Sequence, residues 1–245
     1  MSGHSKWATI KRKKGALDAK RGKLFTKLIK ELSIAAREGG GDPAGNPRLR
    51  LAIDNAKGAN MPADNIDRAI KKATGELEGA AYLELTYEGY GPAGVAILVD
   101  VVTDNKNRTV AEVRHLFSKY GGAMAESGSV AWMFERKGVI TIPAQGKTED
   151  EITEIILEAG ADDVRTEEDF FEITTSLETF EAVRKALIDS KLTVENASLQ
   201  RIAKNMINVA GEDAEKVMKL IEMLEDNDDV QDVYSNADID DSALQ

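Results

Sequence analysis

The 245-residue chain is predicted to be an α+β protein of three domains: an amino-terminal helical bundle, a discontinuous α+β domain, and a ferredoxin-like α+β domain inserted into it. Three observations predict this. Apolar residues recur at helical spacing through the first third of the chain, and from Tyr82 the period drops to two. Between Gly138 and Leu199 the order is strand, helix, strand, strand, helix, strand, the β-α-β-β-α-β of a ferredoxin-like unit. The expected boundaries are 1–78 for the helical domain, 79–135 plus 201–245 for the discontinuous one, and 136–200 for the insert.

Taken in chain order, Lys23 to Arg37 carries Phe25, Leu28, Ile29, Leu32, Ala35 and Ala36 on one stripe, the signature of an amphipathic helix, and Gly39 to Gly41 stop it. Helices from about Arg48 to Lys57 and from Pro62 to Lys72 follow, with Gly58 as terminator and Pro62 placed for a first turn. Leu83, Leu85 and Tyr87 alternate with Glu84, Thr86 and Glu88, which predicts an edge strand, and the nearly unbroken apolar run Val95 to Val102 predicts a central one. Thr109 with Glu112 reads as a capping box opening a helix with Val110, Val113, Phe117 and Tyr120 on its inner face, and a strand is expected over Val130 to Phe134.

Inside the insert, strands are expected at Val139 to Ile142, around Phe171 and Ile173, and at Leu192 to Val194. The helices carry Ile152, Ile155 and Ile156, then Phe180, Val183 and Leu187, with capping boxes at Thr148/Glu151 and Thr175/Glu178. The remainder, a helix with Val217, Leu220, Ile221 and Leu224 and a strand at Val230 to Tyr234, is too small to bury its own face and is expected to complete the middle domain.

Composition bounds the chemistry. The chain is 42% hydrophobic and 31% charged, as an ordinary globular protein is, and the absence of cysteine excludes disulfides, thiolate metal sites and thiol nucleophiles. No secretory signal and no run of the roughly 20 apolar residues a membrane span needs is evident, so a cytoplasmic protein without a membrane partner is expected. Gly89-Tyr90-Gly91-Pro92-Ala93-Gly94 matches a dinucleotide fingerprint in letters, but a strand follows it where the pyrophosphate would need a helix amino terminus. A glycine-rich hairpin loop is the expectation instead. His4 and His115 have no partner spacing for a metal or a triad, and the carboxylates form no recognisable catalytic frame. Neither an enzyme nor a cofactor is expected.

Charge is the positive signal. The net charge is −11, yet Met1 to Ala80 holds 17 basic against 9 acidic residues, and Asn205 to Gln245 holds 2 against 12. Such segregation points to a basic head that meets phosphate and an acidic body that does not. Lys6, Lys11, Arg12, Lys13 and Lys14 form the arm, Lys20 and Arg21 follow, and Lys20, Lys23, Lys27 and Lys30 fall along one helix face. A straight basic edge can track a phosphate backbone, with steep salt dependence from counterion release. Trp7 has two readings, a base-stacking platform or a staple holding the arm to its domain. Arg48 and Arg50 either extend the patch or solvate their helix, and the acids around Glu225 to Asp232 are expected chiefly to keep the chain soluble.

Several long stretches carry a resemblance: Gly3-His4-Ser5-Lys6-Trp7, Asp18 to Lys23, Asn46-Pro47-Arg48-Leu49-Arg50, Tyr87 to Pro92, Asn107-Arg108-Thr109 through His115, and Leu224 to Val233. Together they resemble the YebC/PmpR family nearly from end to end. The resemblance implies the same three-domain plan and a nucleic-acid-binding regulator of gene expression, generally a DNA-binding transcriptional regulator. Relatives tied to translation imply the alternative, a ribosome-associated factor that binds ribosomal RNA and assists elongation at stalling sequences. A protein-interaction platform on the ferredoxin-like domain is the reading of a different class. Two departures stand out: Arg12 where many members have histidine, and Ala123-Met124-Ala125 in place of Asn-Leu-Gly.

Overall fold

A computed structural model of the chain describes residues 18–167 and 169–239, with side chains from residue 22 onward. These fall into two compact units, one running to Phe134 and resuming at Ala203, the other Glu135–Ile202. Among the described residues no helix is long and apolar enough to cross a membrane.

The first unit begins with three helices, α1 (Asp18–Gly39), α2 (Pro47–Gly58) and α3 (Ala63–Ala73). Their stripes meet as the periodicity requires: Leu32, Ala35 and Ala36 of α1 bury against Leu49, Ala52 and Ala56 of α2 and Ile66 and Ala69 of α3. Alanine at so many contact positions lets the helices approach closely. Asn46 forms the joint between α1 and α2. Its Oδ1 accepts from the Leu49 N–H (3.0 Å), while its Nδ2 donates to the carbonyls of Ala35 (2.7 Å) and Gly40 (2.8 Å), so one buried side chain caps the start of α2 and the end of α1.

The α+β part of this unit is a four-stranded sheet in the order β3-β1-β2-β9, from β1 (Leu83–Tyr90), β2 (Ala96–Thr103), β3 (Ala123–Ala125) and β9 (Val230–Ser235). β1 and β2 form an antiparallel hairpin from Leu83 opposite Thr103 to Tyr90 opposite Ala96. The glycine-rich segment is its loop. There the Gly91 N–H donates to Val95 O at 2.8 Å and Gly94 takes a φ of +75°. At Gly89 a Cβ would press on the Phe117 ring at 2.6 Å, so this glycine serves close packing in the fold. Helices α4 (Lys106–Lys119) and α7 (Gly211–Glu225) cover one face, packing Val113, Phe117, Val217, Leu220 and Leu224 on Ile97, Val99 and Val101. Ala96 and Leu98 point the other way, onto Val130, Phe134 and Tyr234. Burial on both faces is why β2 reads as an unbroken apolar run. Two short parallel strands, β8 (Ile207–Val209) and β10 (Ala237–Ile239), complete the unit.

The second unit contains β4 (Phe134–Pro143), α5 (Glu149–Leu157), β5 (Ala161–Thr166), β6 (Phe170–Thr175), α6 (Phe180–Asp189) and β7 (Asn196–Ala203), with sheet order β5-β6-β4-β7. Numbered within the unit this is 2-3-1-4, the ferredoxin-like order expected from the pattern. Thr148 and Glu151 form the expected capping box at α5.

Several local expectations are corrected. β1 is an interior strand, because β3, which no periodicity announced in three residues, pairs along its outer side. Val130 to Phe134 is a 3-10 turn, Ala131–Met133, leading into the single long strand β4. Helix α4 starts a turn earlier than Thr109, capped by Asn105, whose Oδ1 accepts from the Arg108 N–H at 3.1 Å. Helix α6 starts at Phe180 after Thr179, without a Thr175 box, since the Thr175 hydroxyl donates to Ser176 O at 2.8 Å. The last strand of the insert is Asn196–Ala203 and not Leu192 to Val194.

Candidate nucleic-acid interface

The expected contacts Lys6, Trp7, Lys11, Arg12, Lys13 and Lys14 lie outside the described residues, as do the side chains of Lys20 and Arg21 at the start of α1. The described end of the lysine stripe has a definite place. Its three lysines meet the carboxyl terminus of α7 and the loop after it.

Lys23 Nζ donates to Asp226 O at 3.0 Å and pairs with Asp226 Oδ1 at 3.2 Å; Lys27 Nζ donates to Glu225 O at 3.0 Å and Gln231 O at 3.3 Å. Lys30 Nζ reaches Asp228 O at 2.6 Å and Asp229 Oδ1 at 2.8 Å, and is 5% exposed. The physical cause is in the sequence of α7. A helix leaves its last carbonyls without intrahelical donors and carries partial negative charge at that end, and α7 has no basic residue in its own last turn. Lysines from α1, spaced one helical turn apart, supply the missing donors.

Asp229 is the centre of this junction. It is 5% exposed, and its Oδ2 accepts from Arg108 at 2.6 Å, with the hydroxyls of Thr109 and Thr103 at 2.7 and 3.2 Å. Burial opposes its ionisation, but hydrogen bonds from Arg108, Lys30 and Thr109 outweigh it and hold the carboxyl well below the usual carboxylate range. Asn227 adds a bond to Glu112 at 2.7 Å. The adjoining cleft is lined by both signs, with Lys23 and Arg108 beside Glu112, Asp226, Asp228 and Asp229, so it does not offer phosphate a uniformly positive wall.

Arg48 is also engaged within the fold. Its guanidinium bonds Glu31 (2.8 and 3.1 Å), Glu38 (2.8 Å) and Glu84 (3.0 and 2.8 Å). Burial works against its charge, but the bonds to Glu84 and Glu31 prevail and raise its pKa further above the ordinary arginine value. Arg50 donates to Pro43 O at 3.1 Å and bears on the loop before α2. The structure thus brings Lys23, Lys27 and Lys30 together on the acidic turn. It brings Arg48 to a separate carboxylate cluster.

The reading of the Glu225 to Asp232 acids as chiefly solubilising is corrected. The carboxylates of Asp226 and Asp229 pair with Lys23 and Lys30, while Asp228 accepts Lys30 through its backbone carbonyl, and long-range pairing of this kind leaves no periodic trace in sequence. The signal that could have found it is complementarity: a helix ending in acids with no cation of its own, and a helix carrying cations in excess.

A family profile described as the TACO1/YebC protein N-terminal domain matches residues 5–76, and one described as the TACO1/YebC second and third domain matches residues 82–237. The chain belongs to the TACO1/YebC family. Among TACO1/YebC relatives, a protein of Pelodictyon phaeoclathratiforme is 57% identical over 245 residues, covering 100% of this chain and 98% of the relative. One of Desulfatibacillum aliphaticivorans is 56% identical over 244 residues, covering 100% and 99%. Both bear the name "Probable transcriptional regulatory protein". The TACO1/YebC fold described above is similar to the crystal structure of a conserved hypothetical protein from Aquifex aeolicus, with a TM-score of 0.88 at 47% identity, covering 94% of this chain and 96% of that one.

Proposed function

We propose that this TACO1/YebC protein is a regulator of gene expression that acts by binding nucleic acid through its basic amino-terminal segment, as a binder and not a catalyst, with DNA as its target. The observation that carries the reading is the pairing of Lys23, Lys27 and Lys30 with the α7 turn. With Lys23 and Lys30 paired to Asp226 and Asp229 and Lys27 held on the Glu225 and Gln231 carbonyls, the excess positive charge of the head resides in the seven basic residues from Lys6 to Arg21, which stand against a single acid, Asp18. The rest of the chain holds 25 basic and 42 acidic residues and repels phosphate. The basic segment is therefore the principal place for polyanion binding, and the relatives' name supports a regulatory role for it.

A second reading, a ribosome-associated factor that binds ribosomal RNA, is favoured by one observation. A duplex reader presents a helix whose first residues meet base edges, whereas α2 and α3 turn their apolar faces onto α1 and the first turns of α3 expose Asp64 and Asp67. A short basic segment on an acidic body suits shape and phosphate contacts in folded RNA.

The experiment is a titration of the full chain with duplex DNA and, in parallel, with structured RNA, over a range of salt. Binding should weaken steeply with salt, and glutamate at Lys11, Arg12, Lys13 and Lys14 should flatten the slope by roughly 3–4 units and abolish measurable affinity near physiological salt. Unchanged affinity in the glutamate variant would refute the proposal. Tighter binding to RNA, with salt-sensitive co-sedimentation with ribosomes, would select the second reading over the first.

A further inference from the structure

Outside the basic segment, one surface is built in a way the fold does not need. Trp132 is 63% exposed on the 3-10 turn Ala131–Met133, and Tyr90, at the end of β1, is 37% exposed. Both rings are tied to one atom. The indole N–H of Trp132 donates to the Ser129 carbonyl at 3.0 Å, and the Tyr90 hydroxyl donates to the same carbonyl at 3.3 Å.

The loop that holds them is pinned from beneath by a buried charge. Glu88 is 5% exposed, and its carboxylate accepts from the backbone N–H groups of Gly128 (2.6 Å), Val130 (2.7 Å) and Ala131 (2.9 Å), while fully buried Val130 anchors the loop in the core. Burying a carboxylate is costly, and three charge-assisted bonds offset that cost only if the loop takes this one shape. The Trp132 side chain is no part of the Glu88 clamp: its indole N–H bonds back to the Ser129 carbonyl of the same loop, and most of its surface stays in water. A small polar residue would satisfy the same turn and leave less apolar surface in water.

We propose that Trp132, with Tyr90 beside it, is a stacking platform for an unpaired nucleobase of a single-stranded nucleic acid. Three features select a base over a protein side chain. The polar edges of both rings are already hydrogen-bonded within the chain, so they offer faces, and a face that stacks without edge readout accepts any base. The cation adjoining the platform is Lys204, exposed, its Nζ 3.0 Å from the Trp132 carbonyl and its N–H on Met133 O at 2.9 Å, in position to meet the phosphate of a stacked nucleotide. Protein hot spots sit inside a wider ring of apolar contacts, and of the large apolar side chains exposed in this unit Tyr90 is the one that shares Trp132's anchor. This inference rests on the reading of the chain as a nucleic-acid binder and adds a second contact, remote in sequence from the basic segment.

The chain has two tryptophans, so a full-length Trp7→Phe variant leaves Trp132 as the sole indole reporter. Titration with a short unstructured single-stranded DNA oligonucleotide, and with the RNA of the same sequence, should quench its emission saturably. Trp132→Ala should weaken binding of the labelled oligonucleotide about tenfold, a typical loss for one stacked base, with an unchanged melting temperature, and Trp132→Phe should restore most of it. Lys204→Glu should weaken binding in the same direction. The glutamate variant at Lys11 to Lys14 in the Trp7→Phe background separates the two contacts: it should lose salt-dependent affinity, yet at low salt and saturating oligonucleotide the Trp132 emission should still fall. Emission that stays constant while the oligonucleotide binds, or equal affinity in Trp132→Ala, would overturn the platform and leave the basic segment standing.

Discussion

Asp229 sets the strength of the junction between the helical bundle and the sheet. It stands against buried Lys30 on one oxygen and against Arg108 and Thr109 on the other. Removing one member of a buried pair leaves the other charge without compensation, which costs about 3–5 kcal/mol. Asp229→Ala is therefore expected to lower stability by about that amount near pH 7, measured by urea unfolding. The pH dependence has a definite sign. Because the folded-state pKa lies below the unfolded value of about 3.9, the carboxylate contributes its full stabilisation above that value and loses it as the pH falls through the folded value. The gap between wild type and variant should accordingly narrow in acid. A gap below about 1 kcal/mol at neutral pH, or one that does not change on acidification, would show that the charge is not what holds the junction.

Elements differ in how far their own residues announce them. Helices α1, α2 and α3 and strand β2 were legible because each contains the pattern that buries it: a stripe at 3.6 residues for the bundle, an unbroken apolar run for a strand covered on both faces. The three-residue β3 carried no period, and the Thr109 box was misread because that hydroxyl serves Asp229, 120 residues away. For the candidate site, the sequence showed the basic character of the head but not the division of its lysines, since pairing between α1 and the α7 turn is settled in space and leaves no local spacing. Asn46 marks an element boundary that the sequence offered only as part of a family stretch, with no cap read from it. Asn46→Ala removes a helix cap and leaves the buried carbonyl of Ala35 and the more exposed one of Gly40 without that donor, so a loss of about 2 kcal/mol is expected in thermal or denaturant unfolding. Asn46→Asp keeps the acceptor but not the donor and should fall between the two; equal stability of all three proteins would mean that the cap contributes nothing.

At the scale of the whole molecule, the two units are joined in a way that makes them separable. The chain leaves the first unit at Phe134 and re-enters it at Ala203, and across that gap the Lys204 N–H donates to Met133 O at 2.9 Å. The exit and return points are thus hydrogen-bonded neighbours, and the strands that complete the first sheet, β1, β2 and β9, find their partners without any residue of Glu135–Ile202. Closing a loop between adjacent ends costs little more entropy for a few residues than the native insertion already requires. Replacing 136–201 by a short glycine-serine linker should therefore give a protein that unfolds cooperatively and keeps the Lys30–Asp229 junction. Because the proposed nucleic-acid contacts, the basic segment and the Trp132 platform, both lie outside residues 136–201 in sequence, the shortened protein should bind oligonucleotide within about threefold of the full chain, less than one good contact is worth. Calorimetry and the same salt titration test it. A shortened protein that folds but binds tenfold more weakly or worse would move part of the binding function into the ferredoxin-like unit, and one that fails to fold would show that the first sheet depends on the insert for more than continuity.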